Sequence, residues 1–281
     1  MYFFVSPAVN RLIDLALEED IINSDMTSVH TVNQDKIIKA HIVAKENMVF
    51  SGGVMVKAVL DKIDKNINFD IKVNDGEHIK KGKECVTFEG NAISILSAER
   101  IILNFMQRMS GISTKTNEFV KTLNNKNIKI VDTRKTLPGF RYIDKYSVKM
   151  GGGFNHRMGL SDAVMLKENH IKSVGNITDA IKKVKSEIPH TMKVECEVTD
   201  LKEVQEAVNA GADIIMLDNM TIEMMQTASK IIRKDKNIII EVSGNVTLDR
   251  LPELAKLDID IISSGALTHS IKAADLSMKF L

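Results

Sequence analysis

Apolar residues recur at helical spacing from Ala8 to Glu19, through Val9, Leu12, Ile13, Leu15 and Ala16, and that period predicts a helix. Ile37 to Phe50 reads as strand and runs into Ser51-Gly52-Gly53, a turn or helix-entry signal. Val54 to Lys62 predicts a second helix. Short strands follow around Asn74-Asp75-Gly76 and Lys81-Gly82, both with the composition of hairpin turns. Ile93 to Ser110 predicts a strongly amphipathic helix, with Ile93, Leu96, Ile101, Leu103, Phe105 and Met106 on its apolar side. Together these elements make the first hundred or so residues an α+β unit.

After Gly111 the pattern changes to short apolar runs alternating with amphipathic helices. Ile128–Asp132, Ala163–Lys167, Lys193–Val198, Asp213–Asp218, Ile238–Val242 and Asp260–Ser263 have the near-continuous apolar character of buried parallel strands. Helices are predicted between them at Ile177–Ile188, Leu201–Ala210 and Ile222–Arg233. Repeated β-α implies an α/β fold, either a wound sheet or a barrel. The polar residues decide between them. The strands end in Thr133-Arg134-Lys135, Lys167-Glu168-Asn169, Glu197, Asp218-Asn219, Ser243-Gly244-Asn245 and Ser264-Gly265. Polar groups at successive strand C-termini are the arrangement of a (β/α) barrel site, whereas a doubly wound sheet concentrates its site at one switch point. A barrel with fewer than eight strands is therefore expected.

Composition narrows the class. Of 281 residues, 44% are hydrophobic and 27% charged, with a net charge of only +1, so the strong basic excess of a nucleic-acid binder is absent. The two cysteines, Cys85 and Cys196, lack the spacing of a metal knuckle or a redox motif, which suits a reducing, cytoplasmic setting. The opening MYFFVSPAVNRL has neither a basic start nor a long apolar run, and is read as neither signal peptide nor membrane span. Charge is uneven along the chain. Between Asp132 and Lys172 eight basic residues face four acidic ones, which leaves the segment at +4 and the remainder at −3. These charges are interleaved with glycines and apolar residues, so they do not form one solvated helical face, and an anion-handling site is expected there.

The candidate chemistry divides into two halves. Arg134 and Arg157 can each grip a carboxylate through parallel N–H bonds, with Lys135 and Lys167 as compact charges. His156, beside Arg157 and after Gly151-Gly152-Gly153, is a candidate donor to an anion or a ring substituent. The glycine run either flexes or permits tight backbone packing. In the second half, Glu197 and Asp218 end consecutive strands, where their carboxylates could converge on Mg²⁺ brought by a phosphorylated substrate. Helix capping is the competing reading, above all for Asp218. Glu195 shares a strand face with Glu197 and would lie a layer deeper, in need of a partner. The loops Ser243-Gly244-Asn245 and Ser264-Gly265-Ala266 are ordinary turns taken singly; on adjacent strand ends they suit a phosphate.

These residues fall in recognisable motifs. Ala98-Glu99-Arg100-Ile101-Ile102-Leu103-Asn104, Met109-Ser110-Gly111-Ile112, Asp132-Thr133-Arg134-Lys135-Thr136-Leu137-Pro138-Gly139, Gly151-Gly152-Gly153-Phe154-Asn155-His156-Arg157 and Gly265-Ala266-Leu267-Thr268-His269-Ser270 closely resemble the quinolinate phosphoribosyltransferase family, from Ala16 to the C-terminal tail. The resemblance implies an N-terminal α/β sandwich over 1–110, joined by the tail from about 271 to 281, and an open (β/α) barrel over 111–270. It implies a pentosyltransferase that joins quinolinate to phosphoribosyl pyrophosphate with decarboxylation, and a homodimer or higher oligomer. By the same resemblance Arg100 reaches the neighbouring subunit's site. Arg134, Arg157 and Lys167 bind the carboxylates, with His156 and Thr133 nearby. Lys135, Glu197 and Asp218 serve phosphoribosyl pyrophosphate and Mg²⁺, with Lys135, Lys167, Glu197 and Asp218 as the catalytic group. The two small-residue loops, Ser243 to Asn245 and Ser264 to Ala266, hold phosphate. A paralogue with another acceptor, or a non-catalytic sensor of NAD precursors, is the alternative. Loss of a clamp residue would mark the first and replacement of Glu197 or Asp218 the second, and all are present.

Overall fold

The computed structural model describes residues 5–235 and 237–281. The first four residues of the opening segment, read above as free of a leader, lie outside the described residues. Among the described residues no helix is long and apolar enough to cross a membrane. In chain order the elements begin α1 (Pro7–Asp20), α2 (Met26–Thr31), β1 (Ile37–Ala44), β2 (Met48–Val49), α3 (Gly53–Ile63), β3 (Asn68–Ile71), β4 (His78–Ile79) and β5 (Glu84–Asn91). Next come α4 (Ala92–Leu123), β6 (Lys129–Val131), α5 (Arg141–Met150), β7 (Val164–Leu166), α6 (Glu168–Val174) and α7 (Ile177–Glu187). The remainder is β8 (Val194–Val198), α8 (Leu201–Asn209), β9 (Ile214–Asp218), α9 (Ile222–Ile232), β10 (Ile239–Ser243), β11 (Ile261–Ser263) and β12 (Leu276–Phe280), with short turns of helix at Leu251–Leu254 and Ala266–His269.

By compactness the chain forms two units. One unit holds residues up to Asn117, Thr136–Gly152 and Leu267–Leu281; the other holds Glu118–Lys135 and Gly153–Ala266. In the first unit an antiparallel sheet runs in the order β12-β1-β5-β3, so the C-terminal strand adds to the edge of β1. Val86 and Phe88 of β5, Met55 and Val59 of α3, and Ile102, Phe105 and Met106 of α4 share its core. Three local expectations are corrected here. The turns at Asn74-Asp75-Gly76 and Lys81-Gly82 do not join paired strands, because β4 pairs with β2 and β3 with β5. The predicted strand 37–50 is two strands, β1 and β2. The amphipathic helix does not stop at Ser110, since α4 continues to Leu123 through Gly111. Gly111 is there for proximity: a Cβ on it would stand 2.3 Å from the Lys272 carbonyl oxygen. Helix α5 belongs to this unit through a buried bidentate pair. Arg108 Nε and Nη2 donate to Asp144 at 2.8 and 2.7 Å, and the Arg108 guanidinium lies 5.4 Å from the centre of the Phe140 ring.

The second unit is a six-stranded parallel sheet in the order β6-β11-β10-β9-β8-β7, the open barrel that the alternation of strands and helices predicts. Its strands are buried on both faces, which is why they read as apolar runs. Helices α7, α8 and α9 each start on a side-chain cap, from Asn176, Asp200 and Thr221. Those caps leave Glu197 and Asp218 out of helix initiation. The sheet does not close through its two edge strands. Instead Phe154 bridges to Val131 in parallel fashion, with the Phe154 N–H donating to the Ile130 carbonyl at 2.8 Å and the Asp132 N–H to the Phe154 carbonyl at 3.2 Å.

Candidate active site

Strand parity builds the site. In β8 Glu195 and Glu197 point to one face and Cys196 to the other; in β9 Met216 and Asp218 share the inner face, and in β10 Glu241 and Ser243 do. The register sets Glu197 beside Met216 and Met216 beside Glu241. At the strand C-termini these side chains line a cleft of about 670 Å³ within the second unit. Its walls include Thr133, Arg134, Lys135, His156, Arg157, Lys167, Glu197, Asp218, Ser243, Gly244 and Asn245, so most of the predicted site residues are brought together. The structure departs at the last loop. Ser263 lines the cleft, whereas Ser264 is buried, its N–H donating to the Val131 carbonyl and its hydroxyl to that of Val246. Arg100 sits exposed on α4 and is not among the side chains lining this cleft.

The cationic wall is held from behind. Asp132, fully buried at the end of β6, accepts from Asn155 Nδ2 at 2.6 Å and from the His156 N–H at 2.9 Å, which fixes the segment carrying Arg157. Arg157 Nη1 donates to the Ala163 carbonyl at 2.8 Å. Burial, and then the nearby Arg134, hold the Arg157 guanidinium below its usual pKa. Two guanidinium groups placed this close repel until an anion sits between them. Lys167 is ion-paired with Glu197 at the end of the neighbouring strand.

The opposite wall is backbone. Gly244 and Asn245 have φ of 85° and 47°, consecutive left-handed conformations that turn successive N–H groups the same way. Arg250 Nη1 takes the carbonyls of Gly244 and Asn245 at 3.3 and 3.2 Å, so the N–H groups of the same two peptide planes point away from it. Arg250 was not among the expected residues, since nothing in its spacing marks it.

Beneath the cleft lies a cluster that sequence reading half found. Glu195 needed a partner, and it has two. His156 Nε2 lies 3.3 Å from Glu195 and 3.5 Å from Glu241, both carboxylates buried. Glu241 could have been found by parity, because it precedes Ser243 by two positions as Glu195 precedes Glu197. The three donor atoms lie within 4.8 Å, close enough to hold an ion. A metal on Nε2 would put the ring proton on Nδ1, however, and the Arg157 N–H already donates to Nδ1 at 2.7 Å. The cluster is therefore held by His156 against its two carboxylates, and both His156 ring nitrogens are turned to protein partners rather than to a ligand.

Burial opposes charge on His156, but the hydrogen bonds to Glu195 and Glu241 outweigh it and lift the group to about 10. Burial in turn raises Glu195. His156 and Glu195 titrate as a coupled pair, and the retained proton is shared between them. Across roughly pH 6.5 to 10 the folded protein then holds a proton that the unfolded chain has released, so stability falls as pH rises through that window. Thermal unfolding against pH should show a steeper decline for the wild type than for Glu241→Gln. Parallel profiles would remove the shared proton from the account.

Family models described as quinolinate phosphoribosyl transferase, N-terminal domain, and quinolinate phosphoribosyl transferase, C-terminal domain, match residues 25–110 and 112–279. A probable nicotinate-nucleotide pyrophosphorylase [carboxylating] from Bacillus subtilis is 39% identical over 270 residues, covering 96% of this chain and 92% of its own length. One of the same description from Methanocaldococcus jannaschii is 40% identical over 275 residues, with 95% of each chain covered. The solved nicotinate-nucleotide pyrophosphorylase from Francisella tularensis superposes with a TM-score of 0.92 at 42% identity, covering 98% of this chain and 96% of that one.

Proposed function

The chain belongs to the quinolinate phosphoribosyltransferase family, and from that premise we propose how its cleft moves a phosphoribosyl group from phosphoribosyl pyrophosphate to quinolinate with loss of CO₂. The products are nicotinate mononucleotide, pyrophosphate and CO₂, a step of NAD biosynthesis. One observation carries the reading: a cationic wall suited to a dicarboxylate and a carboxylate-and-loop wall suited to a phosphorylated sugar face each other across one cleft.

Arg134, Arg157 and Lys167 hold the two pyridine carboxylates and aim the ring nitrogen at ribose C1. Positioning of this kind can supply a large part of the barrier reduction. As the C1–pyrophosphate bond breaks, positive character grows on the ribose, where the Glu197 or Asp218 carboxylate stabilises it. Lys135 offsets charge on the departing pyrophosphate. The N–C1 bond leaves the ring nitrogen cationic, so it accepts the electron pair left at C2 when CO₂ departs, and C2 then takes up a proton. No protein nucleophile is needed.

The residues fit Mg²⁺. Glu197 and Asp218 are two carboxylates on neighbouring strands, and Mg²⁺ takes one or two carboxylates with water and substrate phosphate oxygens completing its shell. Bound there, it would neutralise charge on the pyrophosphate. The test is an assay of purified protein with quinolinate, phosphoribosyl pyrophosphate and Mg²⁺. Nicotinate mononucleotide and CO₂ should form in equal amounts, and nothing should form when nicotinate replaces quinolinate. Turnover of nicotinate with no quinolinate activity would sink the reading.

We place the enzyme in the cytoplasm, in line with its two buried free cysteines. It acts as a homodimer at least, with the exposed Arg100 on α4 offered to the neighbouring subunit. Arg100→Ala and Lys167→Ala, each inactive alone, should regain about a quarter of wild-type activity when mixed at equal amounts, through hybrid dimers with one intact cleft. No recovery after mixing is confirmed by mass spectrometry would argue against the shared site.

A further inference from the structure

The two carboxylate- and phosphate-binding elements of the cleft are tied by a residue to which no role has yet been given. Asn219 follows Asp218 at the end of β9 and holds φ at 54°, a left-handed conformation uncommon for a residue other than glycine. Its side chain faces both ways. Nδ2 donates to Asp218 Oδ2 at 2.8 Å, while Oδ1 accepts from Asn245 Nδ2 at 3.1 Å. Its own N–H donates to the Ser243 carbonyl at 3.1 Å. The fit against Gly244 is closer still: a Cβ there would lie 2.3 Å from Asn219 Oδ1 and 2.8 Å from its backbone nitrogen. The Ser243-Gly244-Asn245 loop is therefore seated directly on the Asn219 amide.

We propose that Asn219 is a positioning residue that sets the Asp218 carboxylate and the Ser243–Asn245 loop at a fixed separation, so that the metal end and the phosphate end of phosphoribosyl pyrophosphate are received together. The inference rests on the function given above. It requires an amide in particular, because the residue must donate to Asp218 and accept from Asn245 at once. Aspartate could accept but not donate, and would set a second negative charge beside Asp218. Glycine would keep the left-handed backbone without strain and lose both bonds.

Isothermal titration of phosphoribosyl pyrophosphate with and without Mg²⁺, and of quinolinate, tests it on the full-length protein. Asn219→Gly should weaken phosphoribosyl pyrophosphate by about ten- to a hundred-fold, the range for residues that orient a ligating group, and leave quinolinate within about two-fold. Asn219→Asp should lose the gain in affinity that Mg²⁺ confers on the wild type. In steady state the KM for phosphoribosyl pyrophosphate should rise while that for quinolinate holds. Unchanged phosphoribosyl pyrophosphate affinity in Asn219→Gly, equal weakening of both substrates, or a wild-type Mg²⁺ dependence in Asn219→Asp would overturn the assignment. If the wild type bound no phosphoribosyl pyrophosphate, the functional reading would fail first and this inference with it.

Discussion

Arg157→Ala is expected to lower quinolinate affinity by about two to three orders of magnitude, the scale on which removal of one partner from a desolvated charge pair is felt. Phosphoribosyl pyrophosphate should bind within a few-fold of wild type. The asymmetry follows from the layout, since Arg157 stands on the cationic wall and the Ser243–Asn245 loop on the other. Arg134→Ala should behave alike, because Arg134 lines the same cleft and its charge already lowers the Arg157 pKa. Arg157→Lys separates charge from shape. It keeps the cation but lacks the planar fork, and should recover only part of the loss. Quinolinate titration calorimetry on the three variants decides the matter; normal affinity in both alanine variants would show that the carboxylates are held elsewhere.

Gly151→Ala should be among the most destabilising single substitutions in the chain, at about 3 kcal/mol, the upper part of the range for forcing atoms into a filled space. Its backbone is unremarkable, with φ −76° and ψ −2°, so alanine is conformationally welcome there. The obstacle is space. A Cβ would stand 2.4 Å from the Ser113 carbonyl oxygen and 2.6 Å from Thr116 Cβ, where the end of α5 meets α4. Gly152 is the converse: φ is +89° and nothing lies within 4 Å of its would-be Cβ. Gly152→Ala should therefore cost only the strain of a left-handed residue, about 1 kcal/mol. Thermal unfolding of both distinguishes them. Equal losses would mean that the run serves conformation, not close approach.

This pair shows where sequence reading reached its limit. The GGG run permitted two accounts, flexibility or tight packing, and only the position of α4 selects the second for Gly151. Gly111 is a similar case, read as the end of a helix when it is the point where α4 passes closest to the Lys272 carbonyl. The barrel strands and the cleft residues were legible because two-sided burial and polar strand ends are local signals. The pairing of β4 with β2 was not, since it depends on which distant edge is free. Glu241 lay between: parity puts it inside the barrel, but its partners His156 and Glu195 arrive from elsewhere in the chain. The partners of Ser264 likewise come from elsewhere, its N–H and hydroxyl being taken up by the Val131 and Val246 carbonyls.

Phe154 stitches the free edge of β6 with a single residue where a closed barrel would spend a whole strand, and the chain that leaves it carries His156 and Arg157 into the cleft. In the proposed function one clamp residue for the acceptor, Arg157, is thus borne on an insert in the seam, while the donor's seat is placed at the ends of β8, β9 and β10. A scaffold partitioned in this way is modular in the evolutionary sense. Rewriting the stretch from 153 to 163 could retune the enzyme for another flat anion without unpicking a strand, and library diversification confined to that stretch is the economical route to new acceptors.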